Sequence, residues 1–386
     1  MKRLFLGLLL MGGTLQATPS PTVDSPMDEL IETGLRAMYN LDYPASRAAF
    51  EELEKRYPHH PIGLYGQTTA LWWELTNDYD ENDAAMEQKF RDMAEKTIAT
   101  TTVLMKDGDP SGIEGLCLGG TYGLEGRWDA IQGHWLKAYR NGKRAFNLQT
   151  DAIQRNPTLY DAYLGPGIFH YYTAVLPSVA KFLAHMVFGG SKEQGLNEIR
   201  LSMDKGVFSK TAARLFMVNL LVNNEKNPTA ALALLREERA EYPQSPFFHH
   251  VELLVLEEAK DWTALDQEAR DYLDKIATGA PYYDTKKRHL GLLALGNSAL
   301  GRGQAPEAIS FYNQALDQAG RDDRWVSLTY LNRGKARDLL GQRDQALSDY
   351  RVVMTRRDVW SLHDKTEVFL KKPYTMETPK NPEKKP

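Results

Sequence analysis

The sequence predicts an all-α, right-handed solenoid of about eight antiparallel helix pairs. Three observations carry that prediction. Gly296, Gly303, Ala308 and Tyr312 recur, in the same order and at the same intervals, as Gly334, Gly341, Ala346 and Tyr350. Apolar residues return at helical spacing along most of the chain, and no stretch of useful length alternates with a period of two. Tyr57-Pro58, Asn156-Pro157 and Tyr242-Pro243 each close a helical run with a proline, which cannot continue a helix.

In order, the pairs fall at about 27–57, 61–105, 111–155, 158–205, 210–242, 246–277, 285–317 and 325–353. The first keeps Gly34, Phe50 and Pro58, and the third keeps Gly133, Ala145, Ala152 and Pro157, with the same interval from glycine to proline in both. The second is long, because Met86 to Lys106 reads as a helix of about five turns before the Gly- and Asp-rich loop 107–112. In the fifth, Ala231 precedes the Tyr242-Pro243 stop. In the sixth, Asp261 is placed to cap the helix that follows it. The repeats are degenerate over 27–245 and clearest over 285–353. The residue types have physical reasons. Gly296 and Gly334 let the first helix of a pair approach the second, while Gly303 and Gly341 suit the turn between them, where positive φ is unstrained only for glycine. Ala308 and Ala346 make the small contact on the second helix, and Tyr312 and Tyr350 are expected to fill the space between adjacent repeats. The Leu295-Gly296 step, the small residues and the later tyrosine and proline resemble the tetratricopeptide repeat (TPR).

Bulk composition fits this reading. The 386 residues are 42% hydrophobic and 25% charged, which is globular and not disordered. A chain of this length normally divides into domains, but a solenoid does not, because each repeat packs on its neighbours. The net charge of −4 with well-mixed signs argues against a nucleic-acid partner. Met1-Lys2-Arg3, the apolar run Leu4 to Met11 and a small-residue exit at Ala17 read as a signal peptide over 1–17, followed by a linker over 18–26. That places the protein in the periplasm or cell envelope of a bacterium. An uncleaved anchor is the other reading. Cys117, between Leu116 and Leu118, reads as a buried small hydrophobe. Residues 354–386 form a C-terminal extension, Lys- and Pro-rich and expected to be disordered from about 371.

The middle of the chain departs from the plain repeat. It carries Tyr160-Asp161-Ala162-Tyr163, Gly165, Gly167, Tyr171-Tyr172, Leu176-Pro177, Gly189-Gly190 and Gly195-Leu196. This series resembles a group of exported bacterial TPR proteins and is distantly similar to the eukaryotic TPR39/Iml2 family, over roughly 110–245. The resemblance implies a helical scaffold, membrane-associated in some members, and implies no chemistry. Pro177 to Phe188 is an apolar amphipathic insert, read either as a helix that caps the groove or lies on a membrane, or as a buried helix of the solenoid.

No catalytic or cofactor signature is present. The Gly119 to Gly126 cluster lacks the Gly-Lys-Ser/Thr ending of a phosphate loop and reads as close helix packing. His249 and Glu252 share a helix face, but no metal-binding spacing surrounds them. The expectation is therefore a non-enzymatic adaptor without metal or cofactor, holding a peptide or partner protein on the concave face. Asn297, Asn332 and Lys335 on the first helices of the two clearest pairs, and Tyr171 and Tyr172 in the middle, are the candidate partner-binding residues. A plain solvated face, or core packing for the tyrosines, is the alternative for each. A carboxylate clamp is incomplete, which argues against recognition of chaperone tails.

Overall fold

The computed structural model describes residues 26–77, 83–175, 189–319 and 324–376. The signal peptide, most of the linker and the apolar insert 177–188 lie outside the described residues. Seventeen α-helices and three short 3-10 helices make up the described chain, with no strand among them. Sixteen of the helices form the eight expected pairs: α1 Pro26–Tyr39 with α2 Tyr43–Arg56, α3 Ile62–Asn77 with α4 Ala84–Leu104, α5 Ile113–Ile131 with α6 Trp135–Arg155, α7 Leu164–Val175 with α8 Lys192–Lys205, α9 Lys210–Asn223 with α10 Pro228–Glu241, α11 Pro246–Glu258 with α12 Trp262–Ala277, α13 Arg288–Gly301 with α14 Ala305–Gln318, and α15 Arg324–Leu339 with α16 Arg343–Thr355. Each packs on its partner and on the next pair, as in a TPR-like solenoid.

Local sequence sets the helix ends. Asp42, Asp83, Ser191, Asn227, Ser245 and Asp261 cap their helices, each side chain accepting a backbone N–H from the first turn. Tyr57, Asn156 and Tyr242 are the last capping residues before the prolines that stop their helices. The turn inside a pair needs one left-handed residue. Glycine supplies it at Gly133, Gly303 and Gly341, but Leu41, Lys226 and Lys260 take the same conformation with a side chain.

The repeat glycines Gly34, Gly296 and Gly334 on the first helices each lie under an aromatic ring of the second helix. A Cβ on Gly34 would stand 2.7 Å from the Phe50 ring, and on Gly296 or Gly334 it would enter the ring of Tyr312 or Tyr350. The tyrosine therefore lies over the glycine of its own pair, rather than only filling the gap between repeats. Gly133 has a different role from Gly34. It sits in a turn at φ 78° with nothing near its missing side chain, while Gly119 and Gly126 bring α5 against the backbone of α6. Ala145, Ala308 and Ala346 are buried contacts on the second helices.

Two features were not expected. The solenoid closes on itself. Ser245 Oγ donates to the Tyr39 carbonyl at 2.6 Å, and Arg36 reaches the Glu241 carbonyl at 3.2 Å. Trp73 meets Phe247 edge to face at 5.1 Å, and Tyr65 stacks on Phe208 at 4.8 Å. Lys287 and Arg324 donate to the Asn77 and Thr76 carbonyls at the end of α3, at 3.0 and 3.1 Å. One apolar core thus joins Ile31 and Phe50 to Phe248 and Leu295. The second feature is a seventeenth helix, α17 Leu362–Lys371, which packs on α15 and α16 and covers the end of the array. The chain continues against the solenoid through Met376, past the point where the sequence places the start of disorder.

Candidate functional site

Asn297, Asn332 and Lys335 come together on the first helices of the last pairs. Asn297 Nδ2 donates to Glu257 Oε2 of α11 at 2.7 Å. Its Oδ1 accepts the Tyr312 hydroxyl at 2.9 Å and the Asn332 amide at 3.0 Å. Lys335 Nζ donates to Asn332 Oδ1 at 2.9 Å. The result is a polar ladder, Glu257 to Asn297 to Asn332 to Lys335, that crosses three successive first helices. Repeat periodicity builds it, since Asn297 and Lys335 follow Gly296 and Gly334 at equivalent places.

The ladder corrects part of the expectation. Asn297 and Asn332 are buried, and their amides are bonded inside the solenoid, so neither presents a free group to a partner. They tie the first helices of the last pairs together instead of reading a ligand. Lys335 is the half-buried end of the ladder. Burial lowers its ammonium to about 8, against the pull of the Glu257 carboxylate. Burial raises Glu257 above the usual carboxyl range, opposed by the Asn297 amide and the Lys335 charge.

The C-terminal segment lies on this end of the ladder. The Phe369 and Tyr374 rings stand 5.5 and 5.7 Å from the Lys335 ammonium. The Tyr374 N–H donates to Asp338 Oδ2 at 2.8 Å. The same carboxylate accepts Arg343 at 3.0 Å and the Tyr350 hydroxyl at 2.8 Å. Beyond Tyr374, Met376 reaches the turn at Gly303. A peptide segment, held through one backbone donor and two aromatic rings, therefore lies against this end of the ladder. Nothing in the Lys- and Pro-rich composition of the tail announces this.

Tyr171 and Tyr172 belong to another part of the molecule. Tyr171 is fully buried and its hydroxyl donates to Glu225, which Lys192 pairs at 2.7 Å, so it is a core residue and not a partner contact. Tyr172 is partly exposed, edge to face with Tyr171 and with Phe216. The neighbouring motif residues are also architectural. Asp161 Oδ1 accepts the Val207 and Ser209 N–H groups at 2.9 and 2.7 Å, which fixes the entry to α9. Gly167 and Gly195 let α7 and α8 touch backbone to backbone.

One cluster has metal-binding geometry. His249, Glu268 and Asp271 bring ligand atoms within 4.8 Å of one another. Each already has partners: His249 meets the Tyr283 hydroxyl at 2.9 Å and the Glu268 carbonyl at 3.1 Å, Arg239 holds Glu268 at 2.7 Å, and Lys275 holds Asp271 at 2.9 Å. Two cations beside the carboxylates make this an ion-pair network. It continues through Arg239 to the buried Glu252. A cleft of about 450 Å³ between α2, α3 and α4 is lined by the ion pair of Arg47 with Glu74 and by Lys96, which pairs with Glu54 outside it.

No family model and no curated protein matches the chain. Among solved structures, it is similar to a tetratricopeptide repeat protein from Parabacteroides merdae ATCC 43184, at 10% identity and a TM-score of 0.34, over 89% of this chain and 97% of that one. It is also similar to the APC/C hetero-tetramer Cut9-Hcn1, at 14% identity and a TM-score of 0.31, over 90% of this chain and 70% of that one. Eight stacked helix pairs, with a glycine of the first helix under an aromatic ring of the second in the most regular of them, make the chain an all-α solenoid of TPR-like repeats.

Proposed function

We propose that the protein is a non-catalytic binding scaffold that holds an extended segment of a partner protein at the Lys335 end of its polar ladder. The docked segment through Tyr374 carries this reading, because it supplies the contacts that a peptide ligand would make. A partner suited to this place offers one backbone N–H to Asp338 and aromatic rings to Lys335. It competes with the tail that now lies there. The start of the sequence supports a setting in the bacterial envelope, which N-terminal sequencing of the mature protein checks.

The test is crosslinking and capture from the native envelope with three forms of the chain. The intact chain enriches a small set of proteins, Lys335→Glu loses them with its helical content intact, and a chain ended after Lys372 captures more. Equal capture by all three forms would sink the proposal.

A further inference from the structure

From Ala130 to Thr150 the chain contains no Asp or Glu but four Lys or Arg, in a protein whose net charge is −4. This stretch spans most of α6. In the first turns of α6, Trp135 is 71%, Leu136 62% and Tyr139 46% exposed. At about 100° per residue, Trp135, Tyr139 and Leu136 share one arc of the helix. Lys143, Arg140, Arg144 and Lys137 continue that arc. The buried side is held by Gly142, Ala145, Gln149 and Ala152. Lys137, Arg140 and Lys143 make no hydrogen bond or ion pair among the described residues, whereas Arg144 lies over the Tyr122 ring at 5.3 Å. Phe146 and Phe169 meet edge to face at 5.7 Å, so α7 runs beside α6, and its end exposes Tyr172 and Val175.

We infer that this face docks on an anionic lipid bilayer. The aromatic arc enters the boundary between headgroups and acyl chains, where Trp and Tyr are most favourable, and the cationic arc meets the lipid phosphates. Its exposed apolar and cationic residues lie side by side along one helix, and Lys137, Arg140 and Lys143 are not held in one geometry. That suits a fluid plane of negative charge better than a shaped protein partner. The inference is independent of the proposed binding place at Lys335, which belongs to another helix pair.

The test is co-sedimentation of the full chain with phosphatidylcholine vesicles, with and without phosphatidylglycerol. The expected result is binding that requires the anionic lipid and is released by salt. Each Lys or Arg near the surface strengthens binding roughly five-fold. The triple variant Lys137→Gln, Arg140→Gln and Lys143→Gln should therefore weaken binding about 100-fold. Trp135→Ala should weaken it roughly ten-fold, and Lys335→Glu should leave it unchanged. All of these α6 residues are exposed, so the variants keep the wild-type circular dichroism. Binding that ignores phosphatidylglycerol, or survives the triple variant, overturns the inference and points to the apolar run Leu4 to Met11 or to 177–188. Retention of duplex DNA in place of vesicles overturns it as well.

Discussion

The first and last helix pairs use the same lock but hold it differently. In both, a glycine of the first helix lies under an aromatic ring of the second, at the same interval: Gly34 under Phe50, and Gly334 under Tyr350. Tyr350 completes its contacts locally. Its hydroxyl bonds to Asp338, which also receives Arg343 and the Tyr374 N–H. Phe50 has no hydroxyl to place. Its ring lies against Gly66 of the next pair and 6.3 Å from Phe208, far along the chain. The last pair is thus secured by its own polar residues and the segment that follows it, and the first by the closure of the solenoid. The difference shows why the repeat is sharp at one end and worn at the other: a lock closed by local hydrogen bonds demands a fixed set of residues at fixed spacing, whereas one closed by distant apolar contact demands only shape.

Four measurements break or sharpen this comparison. The largest effect belongs to Phe50→Ala, which removes a fully buried ring from the joint core and is expected to cost about 3–5 kcal/mol in urea unfolding. If closure couples the ends, that loss appears in one transition for the whole chain. A separate early transition of the first pairs would show that they are not coupled. Next is Gly334→Ala, which forces the Tyr350 ring to move and should cost about 1–3 kcal/mol by the same assay; Gly34→Ala should cost a similar amount if the two locks are equivalent. An unchanged midpoint for either would mean that the ring yields freely.

The third measurement concerns pH at the closure. His250 on α11 stands edge to face with Trp325 of α15 at 4.9 Å, and Lys287, His289, Arg324 and His249 surround it. Its ring nitrogens have no hydrogen-bond partner among the described residues, although part of the residue meets solvent. Burial, then those neighbouring charges, lower it to about 3. The folded chain therefore keeps His250 neutral while the unfolded chain takes up a proton below its ordinary value. Its contribution is present above about pH 6.5 and is lost as pH falls toward 3. The slope reaches about 1.4 kcal/mol per pH unit. The variant His250→Phe should flatten that acid limb, and parallel limbs in the two proteins would argue against the assignment. The smallest effect is at the turns. Lys260→Gly relieves a left-handed side chain at φ 57° and should stabilise by up to about 1 kcal/mol, while Gly303→Ala should destabilise. A loss on Lys260→Gly would mean that the lysine side chain does more than tolerate its turn.

The sequence by itself determined the eight helix pairs and their approximate boundaries, but not α17. Capping residues, stop prolines, turn glycines and the repeat of Gly296 and Tyr312 as Gly334 and Tyr350 act within one or two turns of chain, so they are readable without a fold. It also brought Asn297 and Lys335 to the same face of neighbouring first helices, because equivalent places in stacked repeats must face the same way. Only the tertiary structure decided that Asn297 and Asn332 are spent on each other, that Tyr171 is core while Tyr172 is not, and that the chain's own Tyr374 lies over Lys335. Closure of the solenoid is the clearest case. The Tyr39 carbonyl and the Ser245 hydroxyl are ordinary groups in their own helices, and they meet because small rotations accumulated over five helix pairs bring them within 2.6 Å. Each rotation depends on side-chain volumes at every interface, and no local pattern in the sequence records their sum.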